Sequence, residues 1–327
     1  MKRLFDEQIA RKPNNYPWTQ DFIDKIWQGF WTPNEFDFKA DFAQFRSDMT
    51  PQEQEIIVRT LSAIGQIEIA VKTFWAKLGE NLPHPAMSDL GFVMANSEVI
   101  HNIAYEKLLT TLGLAEVFEQ NLQLPVIKGR VEYLRKYLKK VYAGDARKQY
   151  IYAIALFTLF VENVSLFSQF YVVLWFNRFR GGMLKDTAQQ VQYTRNEEML
   201  HSQVGIRIIN TLRHEYPELF DDELEARIRD ETAEAYKAES AIIDWMLGDY
   251  RDDHISALLL KEYVANRLNN SLQSIGYSPI FVVDQHALDQ TTWMDEEALG
   301  NNQTDFFWKK PVDYGKKNKV YSEEELF

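Results

Sequence analysis

The chain has 327 residues, 46% of them apolar, enough for one large domain with a substantial core. Its net charge of −12 leaves no basic footprint for nucleic acid. It contains no cysteine, which excludes disulfides, thiolate metal sites and a cysteine nucleophile, so any metal must rest on His and carboxylate.

The beginning of the sequence, MKRLFDEQIARKPNNYPW, lacks the apolar core of a signal peptide, and a cytoplasmic location is expected. Residues 1–50 carry Pro13, Pro17 and Pro33 among aromatics and read as an irregular arm with a short helix near Asp21–Gln28. A long helix then opens at Thr50. The Thr50 hydroxyl is placed to cap it, Pro51 suits the first helical position and Glu53 completes a capping box. Ile57, Leu61, Ile64 and Ile67 continue with helical spacing, and the run is expected to break at NLPHPAM.

A second helix is predicted from about Ser88 to Leu112, and a shorter one over residues 126–144. The segment Tyr150–Phe176 follows, with Glu162 as its only charged residue from Ile151 onward. It is long enough to span a bilayer. A carboxylate at its centre would be costly in lipid, however, and Asn163, Ser165, Ser168 and Gln169 cluster beside it. Its neighbours are amphipathic. These features predict a buried central helix and no membrane partner. Further helices are expected over about Lys185–Leu212, from a cap at Asp221 to about Gly248, and over residues 253–275. No strand series, solenoid repeat or phosphate-binding glycine loop is evident. The predicted class is all-α. Residues 1–300 are expected to form one domain with its N-terminal arm, and residues 301–327 a polar tail.

With only six histidines in the chain, two fall in one pattern: Glu98 with His101, and Glu198 with His201. Positions i and i+3 share a helix face, so each pair is able to approach one ion. A lone Glu-x-x-His is more often a solvated pair. Two of them, each in an apolar setting, carry more weight. Glu162 needs a cation or a strong donor if it is buried. Glu68, between Ile67 and Ile69, supplies a fourth carboxylate. One Glu on each of two helices and Glu-x-x-His on each of two others is the ligand set of ferritin-like di-iron and di-manganese carboxylate proteins. The expected fold is therefore a ferritin-like helical bundle with additional helices. Four carboxylates and two imidazoles suit two divalent ions and redox chemistry with oxygen species, where a structural zinc site would be a closed four-ligand shell.

Tyr105 lies four residues after His101, on the same helix face. At this point the sequence resembles a known family, the small, radical-generating subunit of class I ribonucleotide reductase. SEVIHNIAY is similar to its Ser-Glu-x-x-His-x-x-x-Tyr segment, NEEMLH to its Asp-Glu-x-x-His segment, GFWTPNEFD to its Phe-Trp-x-Pro-Glu segment and FVENVSLF to its isolated ligand Glu. The resemblance runs from about residue 16 to 290, and YSEEELF resembles the family's acidic docking tail.

The resemblance implies six metal ligands: Glu68, Glu98, His101, Glu162, Glu198 and His201. It implies an electron-transfer route that begins at Trp31 and runs through His101, and a tail tyrosine, Tyr321 or Tyr314, that carries the radical to the partner. Leu166 and Phe170 would form an apolar wall beside Tyr105. The implied partners are a second copy of the chain and a large catalytic subunit docked through the tail, with Leu326 and Phe327 as anchors. The chain departs from the family pattern at Glu68, where Asp is usual, and its loop from there to Glu98 is one residue shorter. It departs again at Glu197, where the family has the Asp that links the tryptophan to the metal-bound histidine. Glu68 together with a retained Tyr105 resembles the dimanganese branch, with manganese–iron and di-iron as the alternatives. A stand-alone dimetal-carboxylate oxidase and a ferritin-like metal store would explain the ligands but not Trp31 or the tail.

Overall fold

The capping signals at Thr50 are realised atom by atom. Thr50 N–H and Oγ1 both donate to Glu53 Oε2, and Glu53 N–H donates to Thr50 Oγ1. A cap of this kind stabilises a helix by about 1 kcal/mol. The computed structural model describes residues 2–68 and 72–294, the side chain of Glu68 excepted. The expectations for that side chain, for Tyr314 and Tyr321 and for the Leu326–Phe327 anchor lie outside the described residues.

The arm contains α1 (Trp18–Gln28) and α2 (Lys39–Ser47), with a short 3-10 turn at Pro33–Glu35 between them. α3 (Pro51–Glu68) is followed by two short helices, α4 (Lys72–Ala76) and α5 (Leu78–Asn81), and then by α6 (Pro85–Thr111). Next come α7 (Ala115–Asn121), α8 (Pro125–Leu134), α9 (Ala146–Leu156) and α10 (Phe167–Phe179). α11 (Lys185–Glu215) and α12 (Asp222–Leu247) are the long closing helices. A two-residue hairpin, β1 (Arg251–Asp252) with β2 (Ile255–Ser256), leads into α13 (Ala257–Ser274), and α14 (Gln285–Asp289) ends the described helices. This is the all-α architecture that the periodicity predicts. α7 was not predicted, and the helix expected over residues 126–144 is shorter and closes through a 3-10 turn at Arg135–Leu138.

The stretch predicted as one helix over Tyr150–Phe176 starts earlier, at Ala146, where Asp145 caps the backbone N–H groups of Arg147 and Lys148. It also changes hydrogen-bond pitch: Phe157–Ser165 is π-helical, between α9 and α10. Glu162 sits in this wider segment. The run Ala146–Phe179 is apolar enough to cross a membrane by composition, but its most apolar stretch is 89% buried inside the protein. It is the core of the bundle, as its central carboxylate led us to expect.

Two close approaches fix the helices that surround Glu162. A Cβ on Gly205 of α11 would lie 2.0 Å from Thr158 Oγ1, so only glycine lets α11 pack this tightly on the π segment. Behind the same segment, the fully buried Arg130 of α8 donates to both carboxylate oxygens of Glu239 on α12, at 3.0 and 3.2 Å, and to the carbonyls of Ala63 and Ser165. Removing one partner of such a buried pair typically costs about 3–5 kcal/mol.

Candidate metal centre

Among the described residues, three helical segments bring carboxylates and imidazoles to one buried point. α6 supplies Glu98 and His101, the π segment supplies Glu162, and α11 supplies Glu197, Glu198 and His201. α3 ends at Glu68. Glu98, His101 and His201 are completely buried, Glu162 and Glu198 are 1% exposed and Glu197 is 5% exposed. The i, i+3 spacing has its predicted effect, since each pair does face the same interior.

The two histidines present their Nδ1 atoms to the carboxylates. Glu98 reaches both, with Oε1 at 2.8 Å from His201 Nδ1 and Oε2 at 3.3 Å from His101 Nδ1. Glu198 also reaches both, with Oε1 at 3.2 Å from His101 Nδ1 and Oε2 at 3.5 Å from His201 Nδ1. Glu162 Oε2 lies 3.6 Å from His201 Nδ1. Glu162 Oε1 accepts a hydrogen bond from the indole N–H of Trp75 at 2.7 Å.

These donors fit divalent metal. Glu98, Glu162, Glu198 and His201 offer ligand atoms within 4.8 Å of one another, all buried. Neither oxygen of Glu98, nor Oε1 of Glu198, receives a hydrogen bond of acceptable geometry among the described residues. Buried carboxylate oxygens in that position call for a cation. The electrostatics agree. Burial, reinforced by Glu198 and Glu98, pushes Glu162 well above the usual carboxylate range. Burial also opposes charge on Glu198, but hydrogen bonds with Glu162, His101 and His201 outweigh it and hold Glu198 low. Burial would lower His201, yet the surrounding carboxylates raise it well above an ordinary imidazole. Burial and mutual repulsion thus favour proton binding at Glu162, and the carboxylates favour it at His201, where a cation would serve the same electrostatic purpose.

On its outer side, His101 Nε2 lies 2.7 Å from Glu197 Oε2, and the same oxygen accepts the Trp31 indole N–H at 2.8 Å. A carboxylate acceptor assigns the imidazole proton to Nε2 and turns the Nδ1 lone pair toward the cluster. The Trp31 and His101 rings stack at 6.1 Å and 24°. Trp31, from the irregular arm, is held in the core at 2% exposure. Lys107 of α6 steadies this arm by donating to the carbonyls of Pro33 and Phe36. Tyr105 is 1% exposed, with its hydroxyl 3.4 Å from Thr194 Oγ1. Leu166 and Phe170 are both buried. Sequence reasoning did not anticipate the Trp75 contact, and a tryptophan in an apolar run carries no signal of which polar group its N–H will meet.

The sequence pattern of the family described as "Ribonucleotide reductase, small chain" matches residues 8–287. A probable ribonucleoside-diphosphate reductase small subunit from Invertebrate iridescent virus 3 is 26% identical over 330 residues, covering 96% of this chain and 86% of the viral protein. The ribonucleoside-diphosphate reductase subunit beta of Halalkalibacterium halodurans is 22% identical, covering 92% of this chain and 87% of that protein. Among solved structures, a putative class I ribonucleotide reductase from Bacillus halodurans superposes with a TM-score of 0.77 at 20% identity, covering 85% of this chain and 99% of that one. The dimanganese(II)-NrdF of Streptococcus sanguinis gives 0.71 at 14% identity, covering 88% and 99%. These likenesses establish the helical fold.

Proposed function

Because the chain belongs to the ribonucleotide reductase small-chain family, we propose that the buried Glu–His cluster is its dimetal centre and that Trp31, Glu197 and His101 form the way out of it. The protein is the small subunit of ribonucleoside-diphosphate reductase, an oxidoreductase that works with a large catalytic subunit. The observation that supports this site most strongly is the pair of carboxylates, Glu98 and Glu198, each directed at both histidines. When ions are bound, these two carboxylates would serve both histidine sides, with His101 on one and His201 and Glu162 on the other; Glu68 is a further ligand by resemblance to the family. When bound, the two ions supply a one-electron oxidant after reaction with an oxygen species.

The residues around them do the rest. Close packing keeps water from the cluster. The proton on His101 Nε2 is held against Glu197, which keeps Nδ1 available as a ligand. Trp31 would be the residue that the loaded centre oxidises, and Glu197, which accepts its indole N–H, is placed to take the proton. The oxidising equivalent then passes to the large subunit, with Tyr321 or Tyr314 as the proposed last station in this chain. The absence of cysteine fits that division of labour, since the thiols that reduce the substrate would lie on the partner. Deoxyribonucleotide formation that appears only on addition of the large subunit separates this function from a stand-alone oxidase.

For the metal we propose manganese at both positions, with the equivalent stored on the ions and no stable radical on Tyr105. A first carboxylate one methylene longer than Asp changes its reach, and an anionic cluster stabilises high positive charge. Tyr105→Phe is accordingly expected to keep two ions per chain and most of the activity with the large subunit. Complete loss of activity with both ions still bound would place the oxidant on Tyr105.

Metal loading should also release protons. Ligand nitrogen and oxygen must be deprotonated, and His201 and Glu162 are both held on the protonated side in the metal-free cluster. Raising the pH removes these competitors, so Mn2+ affinity is expected to increase from about pH 6 to about pH 8. Calorimetry in buffers of different ionisation enthalpy measures the released protons directly, and an affinity independent of pH would contradict this reading.

We further propose that the chain assembles as a homodimer through α6. Phe92, Val99 and Ile103 lie at seven- and four-residue spacing and are 64%, 40% and 50% exposed. Phe92 lines a groove with Trp27 and Phe30, which are 59% and 57% exposed. These apolar residues share one face of the helix that carries Glu98 and His101, with the exposed Asn96 between Phe92 and Val99. Light scattering should give twice the chain mass of 38.4 kDa, and Ile103→Glu should halve it. A monomeric parent protein would refute the assembly.

A further inference from the structure

We infer that Trp75 is a positioning residue that commits Glu162 to the ion on the His201 side, by occupying one of its two carboxylate oxygens. This rests on the dimetal reading above. Trp75 is completely buried on the short helix α4, and its indole N–H meets Glu162 Oε1 at 2.7 Å. The indole has little room to turn away. Phe157, in the π segment that carries Glu162, packs against it edge-on at 5.4 Å and 84°. Phe74 stands at 5.4 Å and 82°, and the His201 ring lies 6.2 Å off. Gly91 of α6 allows this placement, because a Cβ there would lie 2.5 Å from the Trp75 carbonyl oxygen and 2.7 Å from Leu78 Cβ.

The consequence is an asymmetry among the carboxylates. Glu98 and Glu198 each direct one oxygen at each histidine. Glu162 directs only Oε2 at the cluster, toward His201 Nδ1. An indole N–H is a donor and nothing else, so it cannot exchange roles with the carboxylate. Oε1 therefore stays occupied, and Glu162 enters as a single-oxygen ligand for one ion. Without the indole, Glu162 would be free to turn both oxygens inward, and its reach toward the second ion would no longer be set.

The test is a Mn2+ titration of the full-length metal-free protein, with free and bound ion distinguished by electron paramagnetic resonance. The parent is expected to bind two ions per chain. Trp75→Phe keeps an aromatic ring and removes the donor. It should weaken one of the two sites by about 10–100-fold, the usual effect of losing an outer hydrogen bond to a metal ligand, leave the other unchanged and alter the bound-ion spectrum. A second variant guards against simple misfolding: benzothienylalanine at position 75 replaces the N–H by sulfur and preserves the shape of the ring. It should show the same selective weakening with an unchanged thermal midpoint. Equal weakening of both sites, or parent-like binding by the benzothienyl variant, would overturn the proposal while leaving the dimetal centre intact. Fewer than two ions in the parent would remove the dimetal reading, and this proposal with it.

Discussion

Replacing Glu98 by Ala is expected to eliminate metal binding at both positions while leaving the helical fold in place. Glu98 faces both histidines, at 2.8 and 3.3 Å, so its loss removes a ligand from each ion. Glu162→Ala should differ, because Glu162 approaches His201 alone; one ion should be lost and the other retained. Neither change opens a large cavity, and each removes one acid from a crowd of buried acids that repel one another. The metal-free proteins should therefore unfold within about 2 °C of the parent, a shift that corresponds to roughly 1 kcal/mol in a chain of this size. Metal analysis on the purified variants, with circular dichroism for the fold, checks both halves. Full metal content in Glu98→Ala would mean that the ions bind elsewhere.

The second large effect belongs to Trp31. Trp31→Phe keeps a buried ring beside His101 but deletes the N–H that meets Glu197 at 2.8 Å. Activity with the large subunit should fall about 100-fold or more, because phenylalanine offers neither an oxidisable indole nor a proton for Glu197 to accept. Metal content should remain at two ions per chain, since Trp31 contacts no proposed ligand oxygen. Glu197→Gln should show the same split between metal content and activity, because it keeps the shape and weakens proton acceptance. Loss of metal and activity together would make this pair a support for His101 and not a route.

The sequence carried the site further than the fold. Helical spacing alone put Glu98 beside His101 and Glu198 beside His201, and the burial of Glu162 followed from its apolar flanks. The junction of Trp31, Glu197 and His101 was expected only through the family resemblance, because nothing in residues 16–36 by themselves says that an arm rich in proline will insert a tryptophan into the core. The π-helical pitch of Phe157–Ser165 was not legible. An apolar run with no polar face gives no periodicity to read, so a widening of the helical turn leaves no trace in its pattern. Arg130 was invisible for a related reason: a single arginine in an amphipathic helix looks like a surface residue until its partner, Glu239, is found 109 positions away. Trp75 marks the same limit, since its hydrogen bond to Glu162 crosses 87 positions of sequence.

The most direct test of the account is crystallography of natively loaded protein with anomalous data collected on either side of the manganese and iron edges. Two ions are predicted, roughly 3.5–4 Å apart as in other two-metal sites. One should lie against His101 Nδ1 and the other against His201 Nδ1 and Glu162, with Glu98 and Glu198 serving both and manganese as the scatterer at each. A single ion, or ions placed away from these five side chains, would contradict it.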